Sequence, residues 1–252
     1  MNQLNKSRFA ELKQFYNSSD AYLDMLTAHD VSYLPKFVEF VRRFVPEDAK
    51  VIDLGCGRGT STQLLSRHYK VVGVDLSSKF IAYAKKKYKG LRFNSCSVLQ
   101  LPFADNSFDA AVSYGLIEHV TDVPKCLDEA IRVTRPNGFV IIVAPNLSSP
   151  LRALRALLSR RGYDGFTASR FETIGWLIKG TYWSLSKWLL GQPGFIYRKP
   201  NLNAAKPLGP DADATYVSNH HDIKNYLRSK GVRIVQLTPS TFSLSWLPVV
   251  PP

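Results

Sequence analysis

The stretch Val51-Ile-Asp-Leu-Gly-Cys-Gly-Arg-Gly-Thr60 constrains this chain more than any other segment. An apolar run ends in an acid, and a turn with three glycines in five positions follows. A polar, helix-like segment then leads to a second apolar run, Val71-Val-Gly-Val-Asp75, which also ends in an acid. The pattern predicts strand, tight loop, helix and parallel strand, with the loop glycines letting the backbone approach a ligand closely.

Spacing narrows the ligand. The dinucleotide fingerprint is Gly-x-Gly-x-x-Gly, whereas Gly55, Gly57 and Gly59 give Gly-x-Gly-x-Gly. Asp53 is expected to point into the crevice, where a carboxylate repels a pyrophosphate and attracts a cation. Asp75 falls at the carboxyl end of the second strand, placed to accept hydrogen bonds from a ribose diol. The two acids together predict a cationic, phosphate-free nucleoside.

Three further segments follow in order: Leu101-Pro-Phe103 with Asn106-Ser-Phe-Asp-Ala-Ala-Val112, Gly115-Leu-Ile-Glu-His-Val120, and Arg132-Val-Thr-Arg-Pro-Asn-Gly-Phe-Val-Ile-Ile-Val143. With the glycine loop they make the chain resemble the class I S-adenosylmethionine-dependent methyltransferases, in the small-molecule branch that includes ubiquinone-biosynthesis-type enzymes. The resemblance covers residues 48–146 well and 216–240 weakly.

It implies a Rossmann-like α/β fold: a seven-stranded, mostly parallel sheet with an antiparallel terminal hairpin, a helical N-terminal cap and an inserted cap region. The expected single domain divides into a cap (1–48), a cofactor-binding core (49–145), an insertion (146–215), and a last helix with hairpin (216–252). Strands are expected near 50–54, 71–75, 91–94, 108–113 and 138–144, and the hairpin over 232–238 and 241–247. The resemblance places S-adenosylmethionine against Asp53, Gly55, Cys56, Gly57, Gly59, Asp75, Leu76, Ser97, Val98 and Tyr114. His119, with an unperturbed pKa near neutrality, becomes the candidate general base for an oxygen nucleophile. Gly115 stands where ubiquinone-type relatives carry a metal-binding acid, so no metal is expected. Tyr22, His29 and Tyr33 of the cap are candidates to face the acceptor.

Charge is unevenly placed. Residues 1–50 carry 7 basic and 7 acidic side chains, whereas residues 146–252 carry 14 and 5 of the net +13. The insertion holds nine aromatics between positions 163 and 197, Trp176, Trp183 and Trp188 among them. Trp176 and Trp183 are candidates for acceptor binding. Apolar helical spacing beside Arg and Lys fits either a helix in an anionic membrane interface or a cap helix packed on the domain. Asp211 and Asp213 stand out in this basic region as substrate ligands or loop caps. A small-molecule or lipid-linked acceptor is the leading expectation; an RNA acceptor, stacked on those aromatics, is the alternative. Met1 to Asp20 is polar and lacks the apolar core of a signal peptide. Three cysteines without metal spacing fit a reducing compartment, so a cytoplasmic, possibly membrane-associated protein is expected.

Overall fold

The computed structural model describes residues 3–20, 22, 24, 33–160, 162, 167, 169–202, 211–239 and 244–250. The N-terminal helix α1 (Gln3–Ser18) and helix α2 (Tyr33–Arg42) precede an alternation of strand and helix. This runs β1 (Lys50–Leu54), α3 (Thr60–Leu65), β2 (Lys70–Asp75), α4 (Ser78–Lys87), β3 (Arg92–Ser95), β4 (Phe108–Tyr114), α5 (Val123–Val133) and β5 (Thr134–Pro145). Helices α6 (Pro150–Leu158) and α7 (Arg170–Leu190) interrupt it, before α8 (His220–Ser229) and strands β6 (Arg233–Ile234), β7 (Thr238–Pro239) and β8 (Leu244–Val250).

Five strands run parallel in the order β3-β2-β1-β4-β5, and β8 continues the sheet antiparallel to β5. β1 and β4 are buried almost end to end, as expected for a sheet covered on both faces. One apolar layer, built on Ile52, Ala111, Ile142, Leu127 and Leu227, seats α5 and α8; the other, around Val51, Val112, Val143 and Phe37, seats α2.

The terminal region departs from the seven-stranded expectation. The described strands number eight, because the segment expected as one strand over 232–238 is divided into β6 and β7, both paired with β8. The cause is a change of register. Ile234 lies opposite Val249 and Thr238 opposite Trp246, so one side of the ladder carries an extra residue, a β-bulge. β8 is described from Leu244; the start expected for this strand at Thr241 lies outside the described residues.

Two contacts place the outer helices. Ser77 caps α4 by accepting from the Phe80 amide, and its own hydroxyl donates to the Tyr16 carbonyl at 2.8 Å, so α1 is seated on the N-terminus of α4. Asn17 adds an acceptor for the Ser78 amide at 2.9 Å. At the other side the Lys187 ammonium of α7 meets Asp222 of α8 at 2.6 Å, with both side chains buried. The insertion is therefore anchored to the core, not hung from it.

Candidate active site

The carboxyl ends of the parallel strands carry the chemistry, where open α/β sheets bind ligands. Gly55, Gly57 and Gly59 all have positive φ. At Gly59 the φ of +83° is joined by crowding, since an added Cβ would stand 2.8 Å from the Phe93 ring. At Gly57 no described residue lies within 4 Å of where a Cβ would be, so among the described residues that face of the loop is open. The Asp75 carboxylate holds the loop, accepting from the Gly57 amide at 2.9 Å and the Ser77 amide at 2.8 Å. Burial raises the Asp75 pKa, against the pull of these backbone donors.

Beside this loop lies a buried polar cluster. The segment 211–217 is stitched to the turn after β4, because the Thr215 and Tyr216 amides both donate to the Glu118 carbonyl at 2.9 Å. That brings Asp213 to His119, with Oδ2 3.2 Å from Nδ1 in an ion-pair contact. Glu118 Oε1 lies 3.8 Å from His119 Nε2. The Tyr16 hydroxyl of α1 donates to Asp213 at 2.7 Å, and Tyr22 also hydrogen-bonds that carboxylate. The Tyr22 ring stacks on Phe80 at 6.1 Å, closing the roof over α4.

Electrostatics then sorts the roles. Burial opposes a charged His119, but Asp213 first and Glu118 after it outweigh burial and push its pKa up to about 10. Burial likewise raises the Asp213 carboxyl, yet His119 and the tyrosine hydroxyls overcome that and hold it below its ordinary value. Burial lifts Glu118 to about 7 despite the neighbouring imidazolium. Among the described residues its buried Oε2 has no hydrogen-bond partner. The carboxylates around His119 thus favour its protonated form, and burial favours the neutral form of Glu118.

Residues 52–142 match the family described as a methyltransferase domain. Over those residues the chain is similar to S-adenosylmethionine-dependent methyltransferases. A stretch of 108 residues is 36% identical to the ubiquinone/menaquinone biosynthesis C-methyltransferase of Desulfotalea psychrophila, covering 38% of this chain and 44% of that relative. A further 103 residues-long match is 38% identical to the 2-phytyl-1,4-naphtoquinone methyltransferase of Trichormus variabilis, covering 36% and 44%. The matched part thus spans less than half the length of these curated relatives. Among solved structures, a SAM dependent methyltransferase from Aquifex aeolicus superposes with a TM-score of 0.58 at 15% identity, over 92% of this chain and 98% of that one. The 1,6-didemethyltoxoflavin-N1-methyltransferase of Burkholderia thailandensis gives 0.56 at 16% identity, over 97% and 86%. At such identities these two speak for the fold.

The sequence-derived residues of the domain separate into groups. Gly55, Gly57, Gly59, Asp75 and Leu76 gather at the ends of β1 and β2, and Asp75 is where a ribose diol would reach it. Ser97 and Val98 form the turn after β3, with the Ser97 hydroxyl accepting from the Leu99 amide at 3.1 Å and Val98 packed on the core. Tyr114 ends β4 with its ring 5.5 Å from Phe37. Cys56 is buried against Ile81, Ala84 and Phe93, a packing position.

Asp53 does not open into the crevice. Its Oδ2 accepts from the Ser61 and Thr62 hydroxyls, both at 2.7 Å, and it is buried beneath α3 with a pKa raised by burial to about 6. The apolar-run-plus-acid pattern located it, but hydroxyls in the first turn of α3 claim the carboxylate. Tyr33 opens α2 as an exposed side chain with the Lys36 ammonium 5.8 Å from its ring, away from a buried pocket. His29 lies outside the described residues. Trp176 and Trp183 meet edge to face at 5.6 Å, and Trp176 packs on Leu147, Ala214 and Val217, so they seat α7 on the domain. The contact of Tyr16 with Asp213, and that of Asp213 with His119, were not foreseen from the sequence. The acids at 211 and 213 in a basic region were the available signal; Asp211 itself pairs with Arg152 at 2.8 Å.

Proposed function

We propose that the protein is an S-adenosylmethionine-dependent methyltransferase acting on a small-molecule acceptor, with an acidic hydroxyl as the methylated group. The observation that carries this is the abutment of the Asp75–glycine loop with the buried Glu118–His119–Asp213 cluster under one roof. The loop fits the cofactor: the open face at Gly57 is a cradle that a Cβ would fill, and Asp75 lies beside it. Asp75 would hold the ribose, the Gly55–Gly59 loop the methionine part, and Ser97 and Val98 the adenine. When bound, the cofactor supplies a methyl group activated by its sulfonium charge.

The chain's residues do the rest. Glu118 Oε2 would receive the acceptor's hydroxyl proton as that oxygen becomes the nucleophile. His119, kept protonated by Asp213, holds the acceptor oxygen's developing negative charge close to the methyl group. Tyr16 and Tyr22 fix Asp213 and exclude water. The quinone acceptors named for the sequence relatives support a ring-bearing acceptor of this size.

Incubation with radiolabelled S-adenosylmethionine and a panel of phenols, catechols and quinols tests the reading. Transfer to at least one acceptor oxygen is expected, and Glu118→Gln should lower turnover by roughly 10²-fold or more with the cofactor Kd unchanged. Label found only on ring carbon, or a wild-type rate in Glu118→Gln, refutes it.

A further inference from the structure

The insertion presents a helix turned the opposite way from an ordinary surface helix. On α7, Thr173, Gly180 and Lys187 recur every seven residues and face inward, buried. The outward face carries Phe171, Ile174, Ile178, Tyr182, Leu185 and Leu189, spaced three or four apart and therefore aligned in one stripe. Phe171 is 88% exposed, and Ile178 and Leu189 are each 66% exposed. The stripe runs about 27 Å at about 1.5 Å per residue. Helix α6, packed beside α7, leaves Leu151, Leu154 and Leu158 exposed in the same three-and-four rhythm, with Leu158 at 79%. Monomeric proteins rarely leave so long an apolar row in water unless it meets a partner.

Charge identifies the partner. The two helices hold five Arg and Lys and one acid, Glu172. Arg152 and Lys187 pair with Asp211 and Asp222, and the side chains of Arg155, Arg170 and Lys179 are exposed on the two helices. Among the described residues no helix is long and apolar enough to cross a membrane. An apolar row edged by cations, on a helix anchored from behind by a buried ion pair, suits the interface of a bilayer with anionic headgroups. Nucleic acid would favour stacking rings, yet this stripe is mostly aliphatic.

We infer that the α6–α7 face docks the protein on an anionic lipid surface, lying in the interface. This goes beyond the methyl-transfer reading and is independent of it, since neither Asp75 nor Glu118 belongs to the face.

Flotation with vesicles of phosphatidylcholine alone, or with about a third phosphatidylglycerol, is the test. The wild-type chain is expected to float with the anionic vesicles, weakly with the neutral ones, and less as salt is raised. Ile178→Ser with Leu185→Ser should weaken binding at least about tenfold. Lys179→Glu should weaken it less. Because these side chains already face water, both variants should keep the wild-type melting temperature and S-adenosylhomocysteine affinity. Failure to float, or flotation unchanged in the serine variant, overturns the inference. So does a wild-type dimer in light scattering that the serine variant loses without any vesicle binding, which would assign the face to a second copy. RNA retention in a gel shift without vesicle binding overturns it as well.

Discussion

The buried pair Lys187–Asp222 offers the sharpest quantitative test of how the insertion is held. The ammonium sits 2.6 Å from Asp222 Oδ2, and the side chains are 7% and 0% exposed. Asp222 also accepts from the Tyr216 hydroxyl at 3.0 Å and the Gly194 amide at 2.7 Å. At an effective dielectric of about 20 the charge attraction alone is about 6 kcal/mol, before desolvation is counted. Removing one partner of such a pair typically costs about 3–5 kcal/mol, because the other charge stays buried. Lys187→Met leaves Asp222 two neutral donors, which puts the expected loss near the middle, at about 4 kcal/mol. For a chain of this size each kcal/mol moves Tm by about 2–4 °C, so a fall of about 8–16 °C is expected. Adding Asp222→Asn removes the stranded charge while keeping an acceptor for the Gly194 amide and turning its own amide to the Tyr216 oxygen, and should restore at least half of the loss. Differential scanning calorimetry and urea unfolding of the two single variants and the double variant complete the cycle. A loss under about 1 kcal/mol for Lys187→Met, or no recovery in the double variant, would show that the pair does not anchor α7.

Three other outcomes are expected. Gly59→Ala should destabilise the fold by more than about 2 kcal/mol, since positive φ and the Phe93 ring oppose a Cβ; Gly57→Ala should cost only about 1–2 kcal/mol yet abolish cofactor binding, and equal effects in urea melts would contradict this. Asp75→Ala should weaken S-adenosylhomocysteine by about 1–3 kcal/mol in calorimetry, the scale of unpaired buried partners, with an unchanged affinity as the disproof. Glu118 has a folded pKa of about 7, above its ordinary 4.5, so the stability from its protonated form is present at acid pH and lost as pH rises through about 7. Glu118→Gln should therefore gain on wild type in Tm between pH 5 and pH 8; a difference flat with pH removes the argument.

Contiguous local pattern made the cofactor half readable. Val51–Leu54, the glycine loop and Val71–Asp75 obey short-range rules of strand burial and turn geometry, and they fold accordingly. Asp53 shows the limit of such rules: its position follows from the strand, but its orientation is decided by two hydroxyls eight and nine residues on. The acceptor half was illegible for another reason. Nothing in the neighbourhood of Asp213 announces that its partners are His119 and Tyr16, because only the tertiary stitching of 215–216 to Glu118 brings them together. The apolar spacing on α7 was visible, but which side faced outward depended on Gly180 and Lys187 finding Ser148 and Asp222. Trp176 and Trp183 turn inward, and the apolar row, with Trp188 exposed near its end, holds the outer face.

The Tyr16–Asp213 contact spans 197 positions, whereas the Gly57–Asp75 contact spans 18. Closing the longer loop carries the greater entropic cost and awaits synthesis of the later segment. As the chain leaves the ribosome, the nucleoside cleft is thus in place well before the chamber that receives the acceptor. A nucleoside bound at that stage would favour the early half by mass action while Asp213 still stands in water. Assembly order itself then separates holding the methyl donor from the ability to spend it.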